Sequence, residues 1–217
     1  LRSGIAAGSL VFLWTLLPVS VMFYLLGDPS PMIALLGTFM MAVLLRQTLS
    51  WEAVLIASVV FSATGTLIFE LSAVGVLDQF VQTYIAIFAQ GDASILVDPE
   101  KARKELLRSF MLGLAFFMVG MLVIARWCQS ALYNPGGFSK EFHQLRLSPS
   151  VSGSIVFAMA VCYMFNDQLG RWLPLLALPL VFVSIGLAHW LTAYKGLSKK
   201  WVAGFYGSLV LLFQIVY

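Results

Sequence analysis

Long apolar runs recur along the chain, separated by short segments rich in charge, proline or glycine. A helix rises about 1.5 Å per residue and the hydrocarbon of a bilayer is roughly 30 Å thick, so about 20 apolar residues make one crossing. That ruler predicts spans over about 4–26, 32–45, 53–76, 110–125, 151–165, 172–194 and 201–217. Gly27, Asp28, Pro29, Ser30 and Pro31 end the first of them, because proline and glycine punctuate helices. The second is short: it either borrows Arg46, whose long stem can carry its charge to the surface, or enters the membrane only partway. The fifth is short as well. Trp51 stands where an aromatic interface anchor belongs.

Two segments follow a different pattern. Over 77–88, Leu77, Phe80, Val81, Tyr84, Ile85, Ile87 and Phe88 recur near a 3.6-residue period among Asp78, Gln79 and Gln82. This is the signature of a helix lying on a surface. It serves either as a seal on the bundle or as a lid over an outward-facing cavity. The stretch 91–109 that follows carries dense charge and reads as an exposed connection, with helix-compatible residues from Glu100 to Arg108. Together, 77–109 form an outer interfacial unit.

The other segment is 126–150, whose first residues read RWCQSALYNPGGFSKEFHQLRLSP. Asn134, Pro135, Gly136 and Gly137 predict a turn, since proline fixes one dihedral and glycine accepts positive φ. Short amphipathic pieces flank it, with Trp127, Leu132 and Tyr133 before the turn and Phe138, Phe142, Leu145 and Leu147 after it. Such an elbow either caps the bundle or docks a partner protein through Tyr133, Asn134, Pro135, Gly136, Gly137, Phe138, Phe142 and Arg146.

Composition agrees with the pattern. Of 217 residues, 60% are hydrophobic and 11% charged, whereas about a quarter of an ordinary soluble sequence is charged. The expected class is therefore an all-α polytopic transmembrane bundle of about six to seven spans, with interfacial amphipathic helices, forming a single domain over 1–217. Its first partner is the lipid bilayer. The start at Leu1 and the end within an apolar run predict a piece of a somewhat longer chain.

With seven spans, one side receives Arg2, Arg46, Arg126, Lys140, Arg146, Lys195, Lys199 and Lys200, and the other Lys101, Arg103, Lys104, Arg108 and Arg171. Eight against five places the first side, with the elbow, in the cytoplasm. The formal charge of +3 follows from this bias. It forms no clustered basic face with stacking aromatics, so nucleic acid is not an expected partner. Cys128 lies near a boundary and Cys162 within a span, positions that argue against a structural disulfide.

Ionisable groups inside a membrane are candidates for function, because burying them is costly. Glu70 is the clearest, following Ser58, Ser62, Gly65 and Thr66 along one narrow stripe of the third span. The stripe is either a close helix contact or the wall of a polar passage to Glu70. Asp167 and Arg171 are expected in an outer turn, where they and Glu70, Ser62 and Thr66 would form a site for a small polar solute. His189 reads as an interfacial hydrogen-bonding residue. Zinc-protease, nucleophile-elbow and phosphate-loop motifs are missing from the sequence. No catalytic residue, metal or cofactor is assigned, and the chain is not expected to be an enzyme.

The stretch ARWCQSALYNPGGFSKEFHQLRL, 125–147, resembles bacterial inner-membrane proteins of unknown function related to YybS, and the order of spans around it extends the resemblance over nearly the whole chain. Cys128 departs from it, standing where a second tryptophan is expected. The YybS-like group has been likened to the S components of energy-coupling-factor vitamin transporters. The resemblance thus implies a multi-pass protein of the bacterial inner membrane that binds a vitamin-like solute or a lipid, or takes part in its transport with a partner membrane subunit and ATPases, with its pocket among the outer halves of the spans. The alternative is a non-transporting scaffold that recruits a membrane or cytoplasmic protein through the elbow.

Overall fold

The computed structural model describes residues 4–91 and 98–216, and every regular element among them is helical. The expected connection 91–109 lies partly outside the described residues, as do Arg2 and Tyr217. Helix α1 (Ile5–Leu26) ends at Gly27, whose φ of 69° is the left-handed conformation glycine adopts without strain. Helix α2 (Ser30–Thr48) then starts at once. Asp28 accepts a hydrogen bond from the Ser30 N–H at 2.9 Å, and Pro31 occupies the first turn, where a missing N–H costs nothing. The second span is therefore 19 residues long and not short.

Ser50 caps α3 (Trp51–Ser72) by accepting from the Ala53 N–H at 3.2 Å. After Ala73, α4 (Val74–Gly91) takes the place of the surface helix read over 77–88. Asp98 caps α5 (Pro99–Tyr133), which at 35 residues is about 52 Å long and outreaches any bilayer. Two expectations are corrected by it. The charged stretch from Glu100 to Arg108 is the start of this helix, and Trp127 to Tyr133, read as a separate arm of the elbow, is its end.

Beyond the turn come α6 (Gly137–His143), α7 (Pro149–Met164), α8 (Asn166–Leu169), a 3-10 turn over Gly170–Trp172, α9 (Leu173–Tyr194) and α10 (Lys199–Val216). His189 of α9 shares a hydrogen bond of 2.9 Å with Tyr206 of α10. Among the described residues, five helical segments are long and apolar enough to cross a membrane: α1, α2, α3, α5 and the run Asn166–Tyr194. Helix α7, with 16 residues, is about 24 Å long and shorter than the hydrocarbon layer.

Helix α3 is the centre of the bundle, packed mainly against α5 and α2, with α9 beside it. Val54, Met41, Ala115, Met118 and Val119 are wholly enclosed there. A second cluster lies at the far end of α3, where Phe69, Ala73, Leu77 and Val81 close on Ala102 and Leu107 of α5. Phe69 stacks on Phe110 with centroids 4.4 Å apart. The buried side of α4 thus fastens to the first turns of α5, and an Asp78–Arg103 ion pair of 3.3 Å lies alongside.

The stripe along α3 makes this packing close. A Cβ added at Gly65 would sit 2.6 Å from Ile33 Cγ2 and 3.0 Å from Leu114 Cδ2. Gly65→Leu should therefore force α2 and α5 off α3, a cost of the order of 1–3 kcal/mol for overpacking. It will be read as a lower melting temperature in detergent. Gly113→Ala, which enters open space, should leave that temperature unchanged or raise it.

Candidate functional site

The two ends of the bundle differ in how their charges are used. At the Glu70 end, Arg171 lies 3.9 Å from the carboxylate, and its guanidinium stacks 4.8 Å from the Trp172 ring. The structure therefore joins two of the five residues expected around a solute. Ser62 and Thr66 are buried on the α3 face. Thr66 donates to the Ser62 carbonyl at 2.7 Å, while the Ser62 hydroxyl has no partner. Asp167 is exposed on α8 and enters no ion pair among the described residues.

At the other end the helices part. A cavity of about 1140 Å³ opens between α2, α3, the last turns of α5 and the elbow. Thr38, Ala42 and Leu45 of α2 form one wall, and Met121, Leu122 and Ala125 of α5 the other. Its polar rim gathers Arg46, Glu52, Arg126 and Gln129, with Glu141, Gln144 and Arg146 from the elbow. The upper part is apolar and the mouth charged, which is how a site for an amphiphile is built.

The elbow supplies one side of that rim. Gly136 takes a φ of 84°, the conformation for which the sequence reading assigned a glycine. The Ser130 hydroxyl donates to the Asn134 carbonyl at 2.7 Å and accepts from the Phe138 N–H at 2.8 Å, holding the turn to α5. Phe138 stacks near Phe142 at 5.5 Å, and Phe142 and Leu145 pack into the main core. Gly186 of α9 lets the elbow approach: a Cβ there would meet the Phe142 carbonyl oxygen at 3.0 Å. Tyr133, Asn134, Pro135 and Gly136 stay exposed on the outer side of the turn, and Gly137 is half-buried.

Two carboxylates of the rim are engaged. Arg126 pairs with Glu141 and also donates to Gln129 at 2.8 Å, tying α6 to α5. Glu52, in the first turn of α3, accepts from the backbone N–H and the hydroxyl of Ser148 and so anchors the start of α7. Arg46 and Arg146 enter no ion pair among the described residues. Sequence reasoning placed Arg46, Arg126 and Arg146 on one side of the membrane but did not place them around one cavity, because they belong to three segments whose mutual distances no local pattern carries.

No family model matches this chain, and no match was found among curated proteins or solved structures.

Proposed function

We propose that this chain is a multi-pass protein of the bacterial inner membrane that binds an amphiphilic small molecule, a lipid or an apolar solute, in the cavity between α2, α5 and the elbow. The single observation that carries the reading is that cavity, with apolar walls above a charged mouth. Its volume of about 1140 Å³ is somewhat above the roughly 300–1,000 Å³ that small-molecule sites occupy. Three of the helices of membrane-crossing length and apolarity, α2, α3 and α5, line it, so a ligand reaches it from the lipid phase or from the rim. The cavity opens at the elbow end, opposite the outer halves of the spans where the resemblance to S components expects a pocket.

Native mass spectrometry of protein extracted in gentle detergent tests this. The expected spectrum shows the chain with one retained amphiphile, and an empty chain in every detergent that preserves the fold overturns the proposal. A second reading, a scaffold that recruits a protein partner, is supported by the outer side of the α5 terminus, where Leu132 is 75% exposed and Tyr133 62%. A co-purifying protein lost in Tyr133→Ala, with no small molecule retained, would favour it.

A further inference from the structure

We infer that the cavity selects an anionic headgroup of phosphate type, held at the mouth by Arg46 and Arg146 with the apolar portion of the ligand between α2 and α5. The inference rests on the binding role proposed above and names its ligand class. The lining holds three arginines against two glutamates. Glu141 is taken by Arg126, and Glu52 by Ser148. Glu52 keeps its charge, so the rim carries a net charge of about +1, and its unpaired guanidiniums are those of Arg46 and Arg146, which meet no carboxylate within 4.0 Å among the described residues. Arg126 adds a buried Nε–H that no acceptor satisfies. Gln129 and Gln144 contribute amide donors to the same rim.

The walls set the shape of the ligand. From Thr38 to Arg46 on α2, and from Met121 to Gln129 on α5, each wall spans nine residues, about 12 Å along its helix. This approaches the depth of one hydrocarbon leaflet, roughly 15 Å. Met121, Leu122 and Ala125 on α5 and Ala42 and Leu45 on α2 give each wall an apolar stretch next to its arginine foot, with Thr38 above it on α2, so the two present matching registers to a molecule with a tail and a charged head. Arginine suits a phosphate there because its planar fork binds two oxygens at once and is weakly hydrated. A positively charged head would meet the surplus arginines and be repelled. A neutral one would gain no ion pair from them.

The same phosphate chemistry arrives on a membrane phospholipid or on a soluble phosphorylated solute. The purified chain in uncharged detergent is to be melted with phosphatidylglycerol, phosphatidylcholine or glycerol 3-phosphate. Phosphatidylglycerol should raise the melting temperature saturably, phosphatidylcholine far less, and salt should weaken the effect. Arg46→Gln and Arg146→Gln should each raise the half-saturating lipid concentration about fivefold, while both variants melt like the parent without lipid because both side chains are exposed. Glycerol 3-phosphate reproducing the shift would support the anion site and assign it to a soluble solute. Equal shifts with both lipids, or an undiminished phosphatidylglycerol shift in the double variant, overturn the anion selectivity and leave the cavity reading standing. No shift with any of the three, joined to an empty native mass spectrum, overturns both.

Discussion

Ala42→Trp and Ala125→Trp should each empty the cavity, lowering the fraction of chain that retains an amphiphile at least tenfold, equivalent to about 1.4 kcal/mol of binding. The two alanines face the cavity from opposite walls, one on α2 and one on α5, so an indole from either side occupies the space between the helices. They differ in what else they touch. Ala42 also packs against the main core, and some loss of stability there is expected from overpacking. Ala125 is exposed, so its substitution changes the cavity with little effect on the fold. Ala131→Trp, on the exposed outer side of the same helix, is the control. Native mass spectrometry reads all three. Equal retention in the Ala125→Trp variant and the parent would place the amphiphile elsewhere, whatever Ala42→Trp does.

The helices were legible in the apolar runs, but their ends were not always so. Counting apolar residues measures the stretch inside lipid, whereas a helix continues for as long as its residues favour one. Glu100 to Arg108 is made largely of Glu, Lys, Arg, Ala and Leu, all good helix formers, and α5 begins there, well before its apolar segment. Pro31 was read as part of a stop, yet in the first turn it opens α2. The boundary at Ala73 carries neither glycine nor proline, so the end of α3 was placed beyond it.

The candidate site divides in the same way. Glu70 in the third span and Arg171 in the expected outer turn were assigned to one side of the membrane, and the fold brings them to 3.9 Å, a distance that no local pattern carries. Asp167, only four residues before Arg171, stays out, since the short α8 leaves it exposed. At the opposite rim, the turn at Gly136 was readable from its residue types alone. The cavity above it was not, because it exists only where α2, α5 and the elbow fail to touch, and an absence of packing has no sequence motif. The buried Ser62 and Thr66 show the converse: small polar residues on a stripe read equally as a passage or as a contact, and only the packing at Gly65, where an added Cβ would fall 2.6 Å from Ile33, distinguishes them.

Leu13→Asp combined with Leu17→Asp should keep α1 from entering the membrane. The two leucines lie one turn apart near the middle of α1 and are 56% and 59% exposed. A helix without a single buried residue must face a solvent over most of its surface, and Trp14, Leu10 and Val11 give that surface no polar relief. If the solvent is lipid, each aspartate at mid-span costs about 2.5–3.5 kcal/mol, and the pair about 5–7 kcal/mol. If it is water, the same exchange on an exposed face falls within about 0.5 kcal/mol per site and improves solubility. The two environments therefore predict opposite outcomes. In membrane vesicles the amino-terminal segment of the variant should become cleavable by added protease while α2 to α10 remain protected. That protection is expected because α1 joins the bundle mainly through α2, with Phe12 stacked on Phe39 at 4.3 Å. A doubly substituted α1 that stays protected and leaves the melting temperature unchanged would mean that this face does not meet lipid, and the assignment of α1 as a span would fall with it.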